Sequence, residues 1–90
     1  MTGPITFTTM SDLPRTLNQL PNGACARVAS LNVAHDLRLR LAALGLRQGQ
    51  SVRVLRRASL GGPLHLQVGT TEMMLRRQDA AGIGISPLLA

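Results

Sequence analysis

Apolar and polar residues alternate over most of the chain beyond residue 23, which is the pattern of strands that bury one face. The clearest case is the segment 64–68, where Leu64, Leu66 and Val68 point one way and His65 and Gln67 the other. Four further strands are predicted from comparable patterns, over residues 24–31, 51–57, 71–76 and 82–88. The chain therefore reads as mainly β, with about five short strands.

Turn signals separate these strands. Pro21-Asn22-Gly23 combines a fixed φ with residues that tolerate a left-handed backbone, and it predicts a tight turn. The segment 58–63 contains two glycines and a proline and is predicted to be a loop. Gly69-Thr70 predicts a type II′ hairpin, because its first residue is glycine. A single helical turn is predicted over residues 77–81.

The segment 37–44 fits two patterns. Leu37, Leu39 and Leu41 alternate with arginines at strand spacing, whereas Leu37, Leu41 and Leu44 also share one helical face. Helix is favoured because Arg, Leu and Ala are good helix formers and no β-branched residue occurs from 35 to 47. We therefore expect one inserted helix, with Leu37, Leu41 and Leu44 facing the core.

Both ends of this helix carry predicted signals. Asn32 is a candidate N-cap, and Asp36 suits the positive end of the helix dipole in the first turn. Gly45 predicts a left-handed stop, after which Leu46 folds back onto Leu41 as in a Schellman motif. In this orientation Leu39 points away from the core, since successive residues are about 100° apart on a helix.

Composition narrows the choice of partner. All ten basic residues are arginine, against four acids, and the formal net charge is +6. Such charge favours nucleic acid, an anionic membrane surface or an acidic protein. The one aromatic residue is Phe7, so a platform for base stacking is missing and nucleic acid is the less favoured partner.

Length and composition also indicate organisation and location. Ninety residues suit one small domain, which we place over 13–90, after a flexible N-terminal tail over 1–12. The single cysteine, Cys25, suits a reducing compartment. We find neither a signal peptide nor a segment of membrane-spanning length, and we predict a cytoplasmic protein without membrane insertion.

The sequence offers few candidates for catalytic or metal-binding residues. No nucleophile motif frames any serine, and the carboxylates form no recognisable pair, so we predict that the protein is not an enzyme. His35, Asp36 and His65 are candidate metal ligands, but their spacing resembles no closed site. We expect them to bind an adventitious divalent metal only, at the surface or between two copies, and we expect no required cofactor.

The order of several short motifs resembles the ferrous iron transport protein A (FeoA) family over residues 13 to about 86. The motifs are Leu20-Pro-Asn-Gly23, Leu41-x-x-Leu44-Gly45-Leu46-x-x-Gly49, Gly62-Pro63-Leu64 and Leu75-Arg76-Arg77-x-x-Ala80-Ala81. The resemblance implies a small SH3-like barrel of about five strands with one inserted short α-helix. It also implies an accessory or regulatory role in ferrous iron uptake, beside a membrane transporter that carries a cytoplasmic GTPase domain.

Two other functions stay open from the residues. One is a basic small-barrel nucleic-acid-binding protein, and the other is a stand-alone regulatory domain related to metal-dependent repressors. The oligomeric state, including a homodimer, is also open. For the favoured function, the accessory role in ferrous iron uptake, the predicted partner-binding residues are Arg38, Leu39, Arg40, Arg56, Arg57, Arg76 and Arg77.

Overall fold

The computed structural model describes residues 15–87, so the predicted tail over 1–12 lies outside the described residues. A short 3₁₀ turn, Leu17–Gln19, comes first. The strands are β1 (Cys25–Leu31), β2 (Ser51–Arg57), β3 (Leu64–Val68), β4 (Thr71–Leu75) and β5 (Ile83–Pro87). The helices are α1 (His35–Ala43), between β1 and β2, and the single-turn α2 (Arg77–Ala80), between β4 and β5.

The five strands form one antiparallel sheet in the order β4-β3-β2-β1-β5. All five predicted strands are confirmed, with bounds that differ by at most one residue. Gly69 has a φ of 60°, as the first central residue of a type II′ turn requires, and it joins β3 to β4. The fold is SH3-like and mainly β, with one short inserted helix, as predicted.

Two irregularities bend the sheet. The register shifts in β1 between Val28 and Ser30, opposite β5, and in β2 between Val54 and Arg56, opposite β3. Bulges of this kind increase the local twist and turn a strand, which allows a short sheet to wrap around a core. The strands β4 and β5 form the two edges of the sheet.

One hydrophobic core lies inside the curved sheet, and the inward positions of the predicted alternation fill it. Val52 and Val54 of β2 and Leu64 and Leu66 of β3 are fully buried. The remaining buried apolar side chains are Leu17, Leu20, Ala26, Val28, Leu41, Leu46, Val68, Met73, Leu75, Ala80 and Ile83. No polar or charged residue is buried among residues 15–87, so apolar packing holds this core together.

The C-terminal end of α1 has the predicted geometry. The Leu46 amide donates to the Leu41 carbonyl at 2.8 Å, and the Gly45 amide donates to the Ala42 carbonyl at 3.0 Å. With Gly45 at a φ of 100°, these two bonds define a Schellman motif. Leu41 and Leu46 both enter the core, which fixes the helix to the sheet.

Two predictions for α1 are wrong. The helix begins after Ala34, whose side chain cannot cap it, so Asn32 is not the N-cap. Leu44 does not face the core but is 45% exposed. The reason is that Leu44 is the last residue before the left-handed Gly45, where the chain turns Leu46 inward in its place. Among residues 15–87, no helix is both long and apolar enough to cross a membrane.

Candidate partner-binding surface

The outer face of α1 presents charge and apolar surface together. Arg38, Leu39 and Arg40 are all exposed, and Leu39 keeps 57% of its accessible surface. Leu41 and the partly buried Leu37 hold the opposite face on the core. The helix was predicted with this orientation, and Leu39 lies outward between two arginines as expected.

A groove separates α1 from the edge strand β4. Its volume is about 320 Å³, and its lining residues come from three elements: Leu37, Arg40, Met74, Leu75, Arg76 and Asp79. Met74 is 61% exposed at this edge. The α1–β4 groove therefore has apolar side chains from Leu37 and Met74 and two guanidinium groups from Arg40 and Arg76, with a single carboxylate, from Asp79.

The outer face of the sheet extends this surface. Arg56 of β2 pairs in register with His65 of β3, and His65 pairs with Met74 of β4. Directly paired residues project on the same face of an antiparallel sheet, so these three side chains form one outward row. The row runs from Arg56 to the α1–β4 groove. Of the seven predicted partner-binding residues, Arg40 and Arg76 line the groove, Arg56 belongs to the row that ends at it, and Arg38 and Leu39 lie on the exposed face of α1.

Arg57 forms hydrogen bonds within the chain. Its guanidinium donates to the Leu20 carbonyl from Nε at 3.2 Å and from a terminal nitrogen at 2.6 Å, and it also donates to the Asn18 carbonyl. These bonds connect the end of β2 to the 3₁₀ turn that precedes β1. The sequence treats Arg56 and Arg57 alike, but the structure places only Arg56 on the outer row.

Arg77 does not line the α1–β4 groove. It is half-buried and lines a second cleft, of about 580 Å³, which we name the α2 cleft. The cleft is lined by Asn18, Gly61, Gly62, Pro63, Arg76, Arg77, Gln78 and Ala81. Arg76 borders both cavities, whereas Arg77 borders only this one.

The candidate metal ligands do not converge. His35 and Asp36 are exposed neighbours in the first turn of α1, while His65 lies on β3. The His65 Nε2 atom lies 2.8 Å from Glu72 Oε1, where it forms an ion pair when protonated. In the part of the chain described, no three His, Cys, Asp or Glu side chains are grouped to hold a metal ion. A site shared between two copies stays a prediction.

Sequence reasoning missed three groove residues as functional candidates. Met74 lies at an outward position of β4, but its position beside α1 was not predicted, because nothing in the local pattern relates β4 to the helix. Leu37 was assigned wholly to the core, and Asp79 was left without a role. The one available signal was a large apolar residue, Met74, at an outward position of a predicted strand.

The sheet, its helix and this basic, partly apolar surface define a small SH3-like β-protein. The FeoA domain model matches residues 15–87. The chain belongs to the FeoA family, a family of small accessory proteins associated with ferrous iron transport.

Solved structures agree with this assignment. The chain is similar to FeoA of Chlorobium tepidum, with 35% identity over 82% of this chain and 70% of that one and a TM-score of 0.79. It is also similar to the zinc-complexed FeoA of Stenotrophomonas maltophilia, described as a prokaryotic SH3 domain protein. In that case identity is 34% over 81% of this chain and 91% of that one, with a TM-score of 0.68.

The same fold occurs inside larger proteins. A manganese-dependent transcriptional repressor shares 25% identity over 82% of this chain but only 41% of its own length, with a TM-score of 0.71. No match is found among curated proteins. The fold is therefore shared with metal-responsive repressors, while the match of the FeoA model over 15–87 assigns the family.

Proposed function

We propose that this protein is a non-enzymatic cytoplasmic accessory protein of ferrous iron uptake, which docks on the cytoplasmic GTPase-bearing part of the iron transporter. The observation that supports this proposal most directly is the α1–β4 groove. It sets Arg40 and Arg76 beside apolar surface from Leu37 and Met74. Arginine is among the residues that contribute most of the binding energy in protein–protein interfaces, and the buried centre of such interfaces is also apolar.

The charge of the surface indicates an acidic partner patch. Arg40 and Arg76 line the groove, Arg38 and Arg56 are exposed, and the whole chain carries a net charge of +6. Complementary charge accelerates association and selects the partner, while buried apolar contacts supply affinity. The transporter surface is therefore expected to offer carboxylates around an apolar side chain that enters the groove.

The test is co-purification with the transporter's cytoplasmic domain, with and without guanine nucleotide. We expect the variant Arg38→Glu/Arg40→Glu to weaken binding at least about tenfold, since charge reversal leaves like charges facing each other across the interface. The matched control is Arg15→Glu/Arg47→Glu, which changes net charge equally at two exposed arginines outside the groove. Equal losses of affinity in both variants would mean that net charge alone explains the effect, and this would reject the groove as the docking site.

The competing nucleic-acid function is tested by the same proteins. A docking protein of this kind should show weak, sequence-independent DNA binding that disappears at physiological salt. Tight binding with a steep dependence of affinity on salt would instead indicate many phosphate contacts. We propose that the docking function requires neither a cofactor nor a resident metal.

A further inference from the structure

The α2 cleft shares only Arg76 with the docking groove and has chemistry of its own. Of its lining residues, Arg76 and Arg77 carry positive charge and none carries a carboxylate. Gly61, Gly62, Pro63 and Ala81 supply an apolar wall, and Asn18 and Gln78 supply neutral amides. A volume of about 580 Å³ lies within the usual range of ligand pockets.

Of the residues that the structure describes, the two guanidinium groups are the only charged groups that line the cleft. The Arg77 Nε atom is buried and makes no hydrogen bond within residues 15–87. It lies against the β2–β3 loop, since a Cβ built on Gly61 would be 4.0 Å from it. That nitrogen is closed to a ligand in this structure, so an oxyanion entering the cleft would be received by the parts of Arg76 and Arg77 that line it, with charge compensation.

The apolar wall narrows the choice of oxyanion. Leu60, next to Gly61, is fully exposed at the tip of the β2–β3 loop. A free phosphate would satisfy the arginines but would leave Pro63, Ala81 and Leu60 in contact with water. A peptide carboxylate with an apolar neighbour matches both the charged and the apolar parts of this site.

We propose that the α2 cleft is a second binding site, which takes a glutamate or aspartate side chain from an acidic segment of a partner protein. Arg77 and Arg76 receive the carboxylate, and Leu60 contacts an apolar residue beside it. The 3₁₀ turn forms one wall of the site, and Arg57 holds that wall by its bonds to the carbonyls of Asn18 and Leu20. This inference is independent of which protein docks on the α1–β4 groove.

The first experiment measures the binding of a labelled Glu-Leu-Glu-Leu-Glu peptide to the full chain. We expect Arg77→Met and Arg77→Lys both to weaken binding about tenfold or more, because methionine removes the charge and lysine keeps it but cannot reproduce the planar fork of guanidinium donors. The matched control Arg47→Met removes one exposed charge elsewhere and should change affinity less than about twofold. An equal loss in Arg47→Met would overturn the proposal.

A second variant separates binding from folding. Leu60 has a φ of 58°, which asparagine tolerates better than leucine. Leu60→Asn should therefore weaken peptide binding several-fold without lowering thermal stability. Unchanged peptide affinity in this variant would reject the apolar contact.

Three measurements on the unaltered protein keep the test decisive if a variant does not fold. Amide shifts on titration with the peptide should be largest at Gly61, Gly62 and Ala81, and shifts confined to α1 would reject the site. The Gln-Leu-Gln-Leu-Gln peptide should bind at least tenfold more weakly. Inorganic phosphate should also bind more weakly than the acidic peptide, and equal binding would show a simple anion site. Failure of these arms would leave the docking result with Arg38→Glu/Arg40→Glu unaffected.

Discussion

The guanidinium of Arg57 is hydrogen-bonded to the carbonyl of Leu20, 37 residues earlier in the chain, through two nitrogens at 3.2 and 2.6 Å. This contact connects the 3₁₀ turn at the start of the domain to β2, the central strand of the sheet. Its neighbour Arg56 points to the opposite face of the sheet and is exposed. Two adjacent arginines thus have different roles, one structural and one at the surface.

This difference predicts unequal effects on stability. Arg57→Met should lower the free energy of unfolding by about 1.5–3 kcal/mol, because it removes hydrogen bonds from a charged donor to partly buried carbonyls. Arg56→Met should change it by less than about 0.5 kcal/mol, as is usual for exposed substitutions. Urea denaturation followed by far-UV circular dichroism measures both, and equal effects would contradict the assignment.

The two leucines of α1 provide a second matched pair. Leu41 is 4% exposed and Leu39 is 57% exposed, although they are two residues apart. Leu41→Ala should destabilise the protein by about 2–5 kcal/mol, since it leaves a cavity in the core. Leu39→Ala should leave stability within about 0.5 kcal/mol and weaken transporter binding. A larger stability loss for Leu39→Ala would mean that the helix is rotated.

Close packing at β5 predicts a rescue by a second mutation. A Cβ on Gly84 would lie 2.4 Å from the Ser30 hydroxyl, so Gly84→Ala should cost about 1–3 kcal/mol. Ser30→Ala in the same chain removes the obstructing oxygen and should restore most of that loss.

Gly82 is the control for this rescue. A Cβ there would lie 2.3 Å from the Asn32 backbone carbonyl oxygen, which no side-chain change can remove. Gly82→Ala should therefore destabilise the protein with or without Ser30→Ala. Thermal melts of these variants and of Ser30→Ala alone test the prediction, and additive losses for the Gly84 and Ser30 changes would contradict it.

Metal removal should not affect the isolated chain. Because the described residues hold no grouped set of three metal ligands, chelation with EDTA should leave the melting temperature unchanged. Zinc should act only by joining copies, through His35, Asp36 and His65. Sedimentation velocity with and without zinc, on the unaltered protein and on His35→Ala/His65→Ala, measures this effect. A stabilised zinc-bound monomer would show an intramolecular site.

Local patterns predicted most of the fold for a physical reason. Alternation in β3 and β2 reports directly which face is buried, because the side-chain period of a strand is two. Gly45 and Gly69 predicted a helix stop and a hairpin, because their left-handed backbones are governed by local sterics. The misassigned cap at Asn32 and the exposed Leu44 lie at the two ends of α1, where a displacement of one or two residues changes the result.

The candidate site was only partly predictable. The exposed Arg38, Leu39 and Arg40 follow from helical geometry once the buried face is known. Their association with Met74 and Arg76 does not, because it depends on how α1 lies against β4, and these elements are separated by two strands in the chain.

By itself, the sequence determined that this chain is a small basic β-protein with one inserted helix, since strand alternation, turn glycines and net charge are local or additive properties. Only the tertiary structure decided which arginines are free to meet a partner. Arg57 is held by Leu20, Arg77 lines the α2 cleft, and Arg40 and Arg76 meet at the α1–β4 groove. The reason is that these contacts join residues far apart in the chain, and the packing of the whole core positions them.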